Sequence, residues 1–293
     1  MLDQPLHQDN PDHDGSSTAP CPLPLVPAHI RAQGGVRIRF ERAGPRTVRT
    51  EADERGGFRV RFPRAHGGPC EAVLINTGGG MTGGDSLLTG LHVEAGAEAV
   101  VTTQAAEKIY RSQGPETRVD TRIRIKPGAR LDWLPQEAIL FGQAHLGRTL
   151  EADLAPDATL IACESLYFGR SAMGEALDEA RFADRWRVRR GGRLIFAEDV
   201  RLAGKVHALL QRQAIAGGAR AVATVLVAAP QAHERLEGAR EAMAGAVSEC
   251  GASALPDLIV ARLLSPDAAA LRADLARLMI HLTGRALPRS WQT

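Results

Sequence analysis

The 293-residue sequence has few aromatic side chains, little excess charge and no long apolar run. Aromatic residues make up 4% of the chain, which leaves little material for stacking nucleic-acid bases. The 36 basic and 34 acidic residues give a net charge of +2, so charge predicts neither a nucleic-acid partner nor a membrane surface. No segment approaches the roughly 20 apolar residues of a membrane-spanning helix.

The four cysteines are widely separated and form no Cys-x-x-Cys pair. This spacing argues against a zinc ribbon or a redox motif and favours thiols that are small buried side chains. The N-terminus lacks the basic and apolar regions of an export signal. We therefore expect a cytoplasmic protein.

Recognisable catalytic motifs are missing as well. The sequence contains no His-x-x-x-His, His-Glu-x-x-His or Gly-x-Ser-x-Gly pattern, and its nine histidines are dispersed. A chain without a nucleophile, base or metal centre at recognisable spacing is more typical of a binding or assembly protein. We predict that it is not an enzyme.

Glycine is concentrated in the run Asn76–Asp85, where five glycines follow the apolar stretch Ala72–Ile75. Three of them match the spacing of a dinucleotide-binding loop. That loop must open a helix whose N-terminus holds the pyrophosphate, whereas the residues that follow here alternate like a strand. We predict a tight turn between strands. The alternative is a nucleotide-binding oxidoreductase that uses the Gly78–Gly84 loop.

The first part of the chain differs in composition from the rest. Residues 1–28 are rich in proline, aspartate, glutamine and serine, which bury too little apolar surface to order a chain. We predict a disordered N-terminal tail there and a single β-rich domain over 29–293. Alternation of apolar and charged residues predicts half-buried strands over Val36–Phe40, Phe58–Phe62 and Val119–Lys126.

A loose repeat of strand, short turn and strand supports a β-rich fold. Its turns begin at Gly96, Gly128, Asp157 and Gly191, which are 32, 29 and 34 residues apart. The predicted core positions after the four turns are Ala99 and Val101, Leu131 and Trp133, Leu160 and Ala162, and Leu194 and Phe196. We predict a mainly β fold of stacked strands, β-helix-like or sandwich-like, with a few α-helices in the C-terminal third.

Each repeat unit also carries a glutamate downstream of its strand. These residues are Glu107, Glu137, Glu164 and Glu198. Stacking of the units would bring the carboxylates into one inward-facing row, whereas ordinary strand ends would leave them solvated. The residue pattern leaves both arrangements open.

The C-terminal third has a different pattern. Ala221–Val227 and Asp257–Leu264 are predicted strands, and His233–Val247 has helical spacing. A further helix is predicted to begin near Asp267 and to end near Thr283. Its apolar stripe consists of Leu271, Leu275, Leu278, Met279 and Leu282.

Five motifs in order resemble the UreD family of urease accessory proteins, also called UreH. They are Asn76–Asp85, Thr102–Ser112, Trp133–Glu137, Gly169–Glu175 and Leu287–Trp291. The resemblance covers about residues 30–293. It implies a mainly β chaperone, without enzymatic activity, that binds the urease apoprotein. It also implies a complex with the accessory proteins UreF and UreG through which nickel reaches urease, with UreG as the nucleotide-binding GTPase.

Nickel(II) binds exchangeably to oxygen and imidazole ligands, so we hypothesise a transfer passage lined by carboxylates. The candidates lie in family-like motifs or at an equivalent strand end, and they are Asp85, Glu107, Glu137, Glu164 and Glu175. We expect no tightly bound cofactor and only transient Ni²⁺. Structural roles are the alternatives: a turn cap for Asp85 and a salt bridge to Lys108 or Arg111 for Glu107. A scaffold that reshapes urease without contacting nickel is a further alternative.

Overall fold

The computed structural model describes residues 31–64, 68–169, 177 and 179–292. Arg31–Thr293 form one compact unit. The predicted disordered tail at 1–28 lies outside the described residues. Two β-sheets enclose one apolar core, and a second, smaller core lies between one of these sheets and the C-terminal helices. The predicted mainly β fold of stacked strands is confirmed.

The strands are β1 Gln33–Ala43, β2 Arg46–Arg55, β3 Phe58–Arg61, β4 Cys70–Asn76, β5 Ser86–Val93, β6 Glu98–Thr103, β7 Glu107–Ile109, β8 Thr117–Ile125, β9 Arg130–Leu134, β10 Ala138–Leu140, β11 His145–Leu154, β12 Thr159–Phe168, β13 Ala180–Arg190, β14 Arg193–Gly204, β15 Ala221–Ala228, β16 Glu249–Leu255 and β17 Leu258–Ser265. The first sheet has the order β14-β13-β11-β8-β5-β1-β2, and the second has the order β16-β17-β15-β12-β9-β6-β4-β3, with β7 and β10 attached through β12.

Three of the predicted repeat units form stacked coils. The strands β5, β8 and β11 run parallel in the first sheet, and β6, β9 and β12 run parallel in the second. The same hydrogen bond recurs in the turns between them, where Ala97, Ala129 and Ala158 each donate to the carbonyl three residues earlier, at 3.0, 3.2 and 3.1 Å. The six predicted core residues of these units are buried.

The fourth predicted unit does not continue the stack, and this prediction is wrong. The turn at Gly191 joins β13 to β14 as an antiparallel hairpin within the first sheet. Strand β14 therefore lies at the sheet edge and does not cross to the second sheet. As a result Leu194 is 47% exposed and Phe196 is only partly buried.

The glycine-rich turn carries the chain from β4 in the second sheet to β5 in the first. Close packing explains its glycines: a Cβ at Gly80 would lie 2.4 Å from the ring of Tyr110, and one at Gly83 would lie 2.0 Å from Ser112 Oγ. Strand β5 begins at Ser86, so no helix follows the turn. The predicted turn is confirmed, and the arrangement lacks the helix that dinucleotide binding requires.

The C-terminal third extends the second sheet and covers its outer side. Its helices are α1 Val206–Leu210, α2 Leu236–Met243 and α3 Ala268–Thr283, with short 3-10 helices at Ala232–Arg235 and Arg289–Trp291. Asp267 caps α3 by accepting from Ala269 N at 2.8 Å, and Gly284 ends it with φ of 68°. The predicted apolar stripe of α3 is buried. Helix α1 was not predicted. Within the described residues, no helix is both long and apolar enough to cross a bilayer.

Candidate functional site

A cavity of about 200 Å³ lies between the two sheets, beside the glycine-rich turn. Most of its wall is apolar, because the inward faces of the strands supply it. Polar side chains interrupt this wall, among them Asn76, Glu107, Gln136, Arg148 and Glu164, and the cationic residues Arg59 and Lys108 also border it. An apolar pocket with a small number of convergent polar groups is the usual form of a binding site.

Glu107 enters this cavity from the short strand β7. Its backbone N–H donates to the carbonyl of Glu137 at 2.9 Å, which fixes the strand. One carboxylate oxygen accepts a hydrogen bond from Asn76 Nδ2 at 2.9 Å, and Asn76 Nδ2 also donates to Gly80 O at 3.3 Å. Burial raises the pKa of Glu107 to about 7, the hydrogen bond from Asn76 opposes this shift, and the nearby charge of Asp85 adds to it.

Glu164 lies in the wall of the same cavity but is held by two donors. Its Oε1 accepts from Trp133 Nε1 at 2.9 Å, and its Oε2 accepts from Arg148 Nη1 at 2.6 Å. Arg148 also donates through Nη2 to Asp184 Oδ2 at 2.6 Å. The guanidinium therefore joins two carboxylates, and all three side chains are almost completely shielded from solvent.

The strand register explains why these charges meet inside the protein. Arg148 and Asp184 are direct partners in the parallel pair β11 and β13. Each lies on the apolar, inward-facing phase of its strand, between residues such as Leu146 and Trp186. Glu164 faces them from β12 of the opposite sheet.

The cluster is almost fully paired, and its electrostatics follow from that pairing. Burial lowers the pKa of Arg148, but the carboxylates of Asp184 and Glu164 raise it, and the net shift is upward. Burial raises the pKa of Glu164, while the attraction of Arg148 opposes that rise. Arg148 Nε and Asp184 Oδ1 have no hydrogen-bond partner among the described residues.

Comparison with known proteins places the chain in a family. A sequence profile described as "UreD urease accessory protein" matches residues 32–292. The urease accessory protein UreD of a Methylobacterium species is 48% identical over 278 residues, which cover 93% of this chain and 99% of that protein. The UreD of Azorhizobium caulinodans is 46% identical over 266 residues, covering 91% and 98%. UreD 2 of Methylorubrum populi is 48% identical over 277 residues, covering 92% and 93%.

This chain belongs to the UreD family. The motifs that carried the resemblance cluster around the cavity in this UreD fold. Asn76–Asp85 and Thr102–Ser112 form one side of it, and Trp133–Glu137 forms another. Most of the motif at Gly169–Glu175 lies outside the described residues. The terminal motif is tied to the same region, since Trp291 Nε1 donates to the carbonyl of Leu134 at 3.0 Å.

Two of the five predicted site residues border the cavity of this UreD protein, namely Glu107 and Glu164. Asp85 is 6% exposed and holds the glycine-rich turn, where its carboxylate accepts from Ala32 N at 2.9 Å and from Thr82 N at 2.8 Å. Its contacts are those of the structural alternative, a turn cap. Glu175 lies outside the described residues, so its role stays a prediction.

Glu137 does not line the cavity. Its carboxylate accepts from Arg272 Nη1 of α3 at 2.9 Å, and the Arg272 guanidinium lies 5.3 Å from the centre of the Trp291 ring. Glu198 pairs with Arg262 at 2.5 Å on the hairpin strand β14. The structure therefore brings Glu107 and Glu164 to one cavity and leaves the other two glutamates of the expected row elsewhere.

The oxygen donors at the cavity that have few partners are few in number. Among the residues that the structure describes, no group of three or more His, Cys, Asp or Glu side chains has the arrangement of a metal site. Glu107 offers a carboxylate with one side-chain donor, and Asn76 is beside it. Oxygen ligands of this kind bind nickel with exchangeable affinity.

Proposed function

We propose that this protein is a cytoplasmic chaperone for urease maturation and that it acts by assembly, without chemical turnover of its own. In this proposal it joins UreF and UreG on the urease apoprotein, and Ni²⁺ passes through the complex as cargo. Neither nucleic acid nor a membrane takes part. Membership of a family named for urease accessory proteins supports the maturation role.

The observation that carries the nickel role is the position of Glu107 in the cavity. Its carboxylate has one side-chain partner, Asn76, and a pKa of about 7, so near neutral pH it exchanges a proton readily. A divalent cation that arrives at the carboxylate displaces that proton, and reprotonation favours release. The surrounding volume of about 200 Å³ accommodates a hydrated ion, because one water occupies about 30 Å³ in the liquid.

Glu164 is proposed to act differently. Its hydrogen bonds from Trp133 and Arg148 leave little capacity for a metal, so its contribution is to hold the cavity wall in place. Replacement of Glu164 by alanine would leave Arg148 with one carboxylate. A fall in the nickel content of urease would then not distinguish a folding defect from loss of nickel transfer. Glu107 is therefore the better residue to test.

The test compares Glu107→Gln with Glu241→Gln, an exposed control on α2, in cells that express the urease operon. Glutamine keeps the size of the side chain and can still accept from Asn76, but it carries no charge. We expect several-fold less nickel per purified urease with Glu107→Gln and normal loading with the control. Nickel content is measured by elemental analysis, and recovery of the accessory complex is measured by immunoblotting.

Normal nickel content with Glu107→Gln, in an intact complex, would remove the transfer role from this residue. If deletion of the whole protein still abolishes loading in that case, a scaffold that reshapes urease becomes the better explanation. A tagged wild-type protein that retrieves neither urease, UreF nor UreG would contradict the assembly role itself.

A further inference from the structure

The outer face of the first sheet carries a group of arginine side chains around a single glycine. Parallel pairing of β1, β5 and β8 places Arg39, His92 and Arg124 directly beside one another in one cross-strand row. The next row contains Arg37 and Arg122 on the two outer strands. On their other sides these arginines face carboxylates: in the strand register Arg37 lies opposite Asp53 of β2, and Arg122 and Arg124 lie opposite Glu151 and Asp153 of β11.

Between Arg37 and Arg122, the middle strand carries Gly90. A glycine inside a strand weakens it, and it often marks a place where a ligand or another chain approaches closely. A Cβ at Gly90 would lie 3.2 Å from Arg37 Cγ. Gly90 has no Cβ, and it lines a hollow of about 500 Å³ on this face. Arginine side chains lie along the sides of the hollow.

The arginines at this hollow differ in their freedom to bind a partner. Arg39 is held by ion pairs with Glu51 and Glu94. Arg37, Arg122 and Arg124 are exposed and form no ion pair within 4.0 Å in the described part of the chain. The neighbouring His92 has a lowered pKa, first because of burial and then because of the positive charges of Arg39 and Arg124. Three arginine side chains without a close ion pair thus border the hollow.

Acidic residues surround this basic centre. Glu51, Glu151 and Asp153 border the same hollow. A long polyanion such as a nucleic acid would meet these carboxylates, and no aromatic side chain lines the hollow for base stacking. A folded protein surface suits the mixed pattern better, because it can present one acidic side chain to the centre and basic side chains to the rim.

We propose that this face docks a partner protein that inserts a carboxylate side chain over Gly90, between the guanidinium groups of Arg37 and Arg122. Guanidinium groups bind carboxylates through charge-assisted and often bidentate hydrogen bonds, which fix orientation as well as position. The proposal rests on the assembly role proposed above. It adds a specific surface and the chemistry of the group that the surface accepts.

The first test reverses the charge at two of the free arginines. Tagged full-length protein with Arg122→Glu and Arg124→Glu is expressed with the urease operon, and urease, UreF and UreG are each quantified by immunoblotting after purification. We expect recovery of at least one of the three to fall on the order of tenfold. The control is Arg201→Glu, an exposed residue of β14 in the same sheet, which should leave recovery unchanged.

A second variant separates docking from folding. Gly90→Leu fills the hollow without changing charge, and Gly90 has a backbone conformation that other residues adopt. It should reduce recovery of the same partner, and thermal unfolding of each variant shows whether the fold is intact. Full recovery of all three proteins with both variants would overturn the docking surface and leave the proposed function standing. Failure of the wild-type protein to recover any of them would overturn both.

The carboxylate itself is tested by cross-linking. Arg122→Lys places a primary amine at the hollow, and a carbodiimide joins amines to carboxylates that are in contact. Peptide mapping of the purified complex should show position 122 joined to an Asp or Glu of the partner recovered in the first test. Cross-links from position 122 only to acidic residues of its own chain, such as Glu151, would contradict the proposal.

Discussion

Glu107 and Glu164 border the same cavity, and the difference between them separates a structural carboxylate from an exchangeable one. Glu164 accepts hydrogen bonds from Trp133 and Arg148, at 2.9 and 2.6 Å. Glu107 accepts one side-chain hydrogen bond, from Asn76, and its pKa is raised to about 7. Two acidic groups in one cavity therefore have unlike chemistry because their neighbours differ.

The comparison shows that burial alone does not identify a functional acid. A buried carboxylate that accepts hydrogen bonds from a guanidinium and an indole is part of a fixed network. A buried carboxylate beside a neutral amide gains and loses its proton near neutral pH. The second arrangement suits a passage for cations, and the first suits the wall of that passage.

The largest effect is expected for Arg148→Met. It leaves Glu164 and Asp184 buried without their shared cation, which typically costs about 3–5 kcal/mol in the free energy of unfolding. Chemical denaturation monitored by tryptophan fluorescence measures the change. A triple variant that adds Glu164→Gln and Asp184→Asn should recover part of the loss. A change below about 1 kcal/mol for Arg148→Met would show that the cluster does not stabilise the fold.

Glu107→Gln should change how stability depends on pH. The folded-state pKa of Glu107, about 7, lies above its ordinary value of 4.5, so the folded protein binds this proton more tightly than the unfolded chain. The resulting stabilisation is fully present below pH 4.5 and is lost as pH rises through 7, a total of about 3 kcal/mol.

The measurement is denaturant unfolding between pH 4.5 and 8. The free energy of unfolding of the wild-type protein should fall by this amount as pH rises, whereas that of Glu107→Gln should not. The Glu241→Gln variant serves as a control that retains the wild-type slope. Identical pH dependence in wild-type protein and Glu107→Gln would place the pKa of Glu107 outside this window.

Asp85→Ala should destabilise the turn beside Glu107. Two backbone N–H groups, from Ala32 and Thr82, lose their acceptor, at a cost of about 1–3 kcal/mol. Asp85→Asn should cost less, because its amide oxygen retains one acceptor. Since the charge of Asp85 raises the pKa of Glu107, the asparagine variant should also move the pH-dependent loss to lower pH. An unchanged unfolding midpoint in Asp85→Ala would contradict the role of turn cap.

The smallest effect is expected for Arg185→Ala, at an ion pair on the outer face of the same sheet. Arg185 Nε lies 3.1 Å from Asp199 Oδ1, and its side chain is 52% exposed. Solvent screening limits such pairs to about 0–1 kcal/mol. A loss of stability comparable to that of Arg148→Met would mean that burial does not explain the larger contribution of the cluster of Arg148, Glu164 and Asp184.

Much of the fold was predictable from local patterns. Turns at Gly96, Gly128 and Asp157 marked the crossings between sheets, because alternating strands and turn residues repeat at nearly constant spacing. The hairpin at Gly191 has the same local pattern but returns to its own sheet. A strand pairs with a neighbouring strand that still has an unpaired edge. The local sequence pattern does not show which strand that is.

The candidate site was predicted in part. Glu107 and Glu164 were named from their place after the repeated strands, but Arg148 and Asp184 were missed. A signal was present, since both are charged residues on the apolar phase of an alternating strand. The role of Asn76 had no such signal, because its contact with Glu107 joins residues 31 positions apart.

Periodicity and backbone preferences were enough to show which residues face inward, where the chain turns and which helix packs on the sheet. Which inward-facing charges meet depends on the three-dimensional arrangement of the strands. Arg148 selects Glu164 and Asp184 through strand register, and Glu107 is left with an amide. A carboxylate's pKa depends on burial and on the groups a few ångströms away, so the two acids received their different chemistry from the fold.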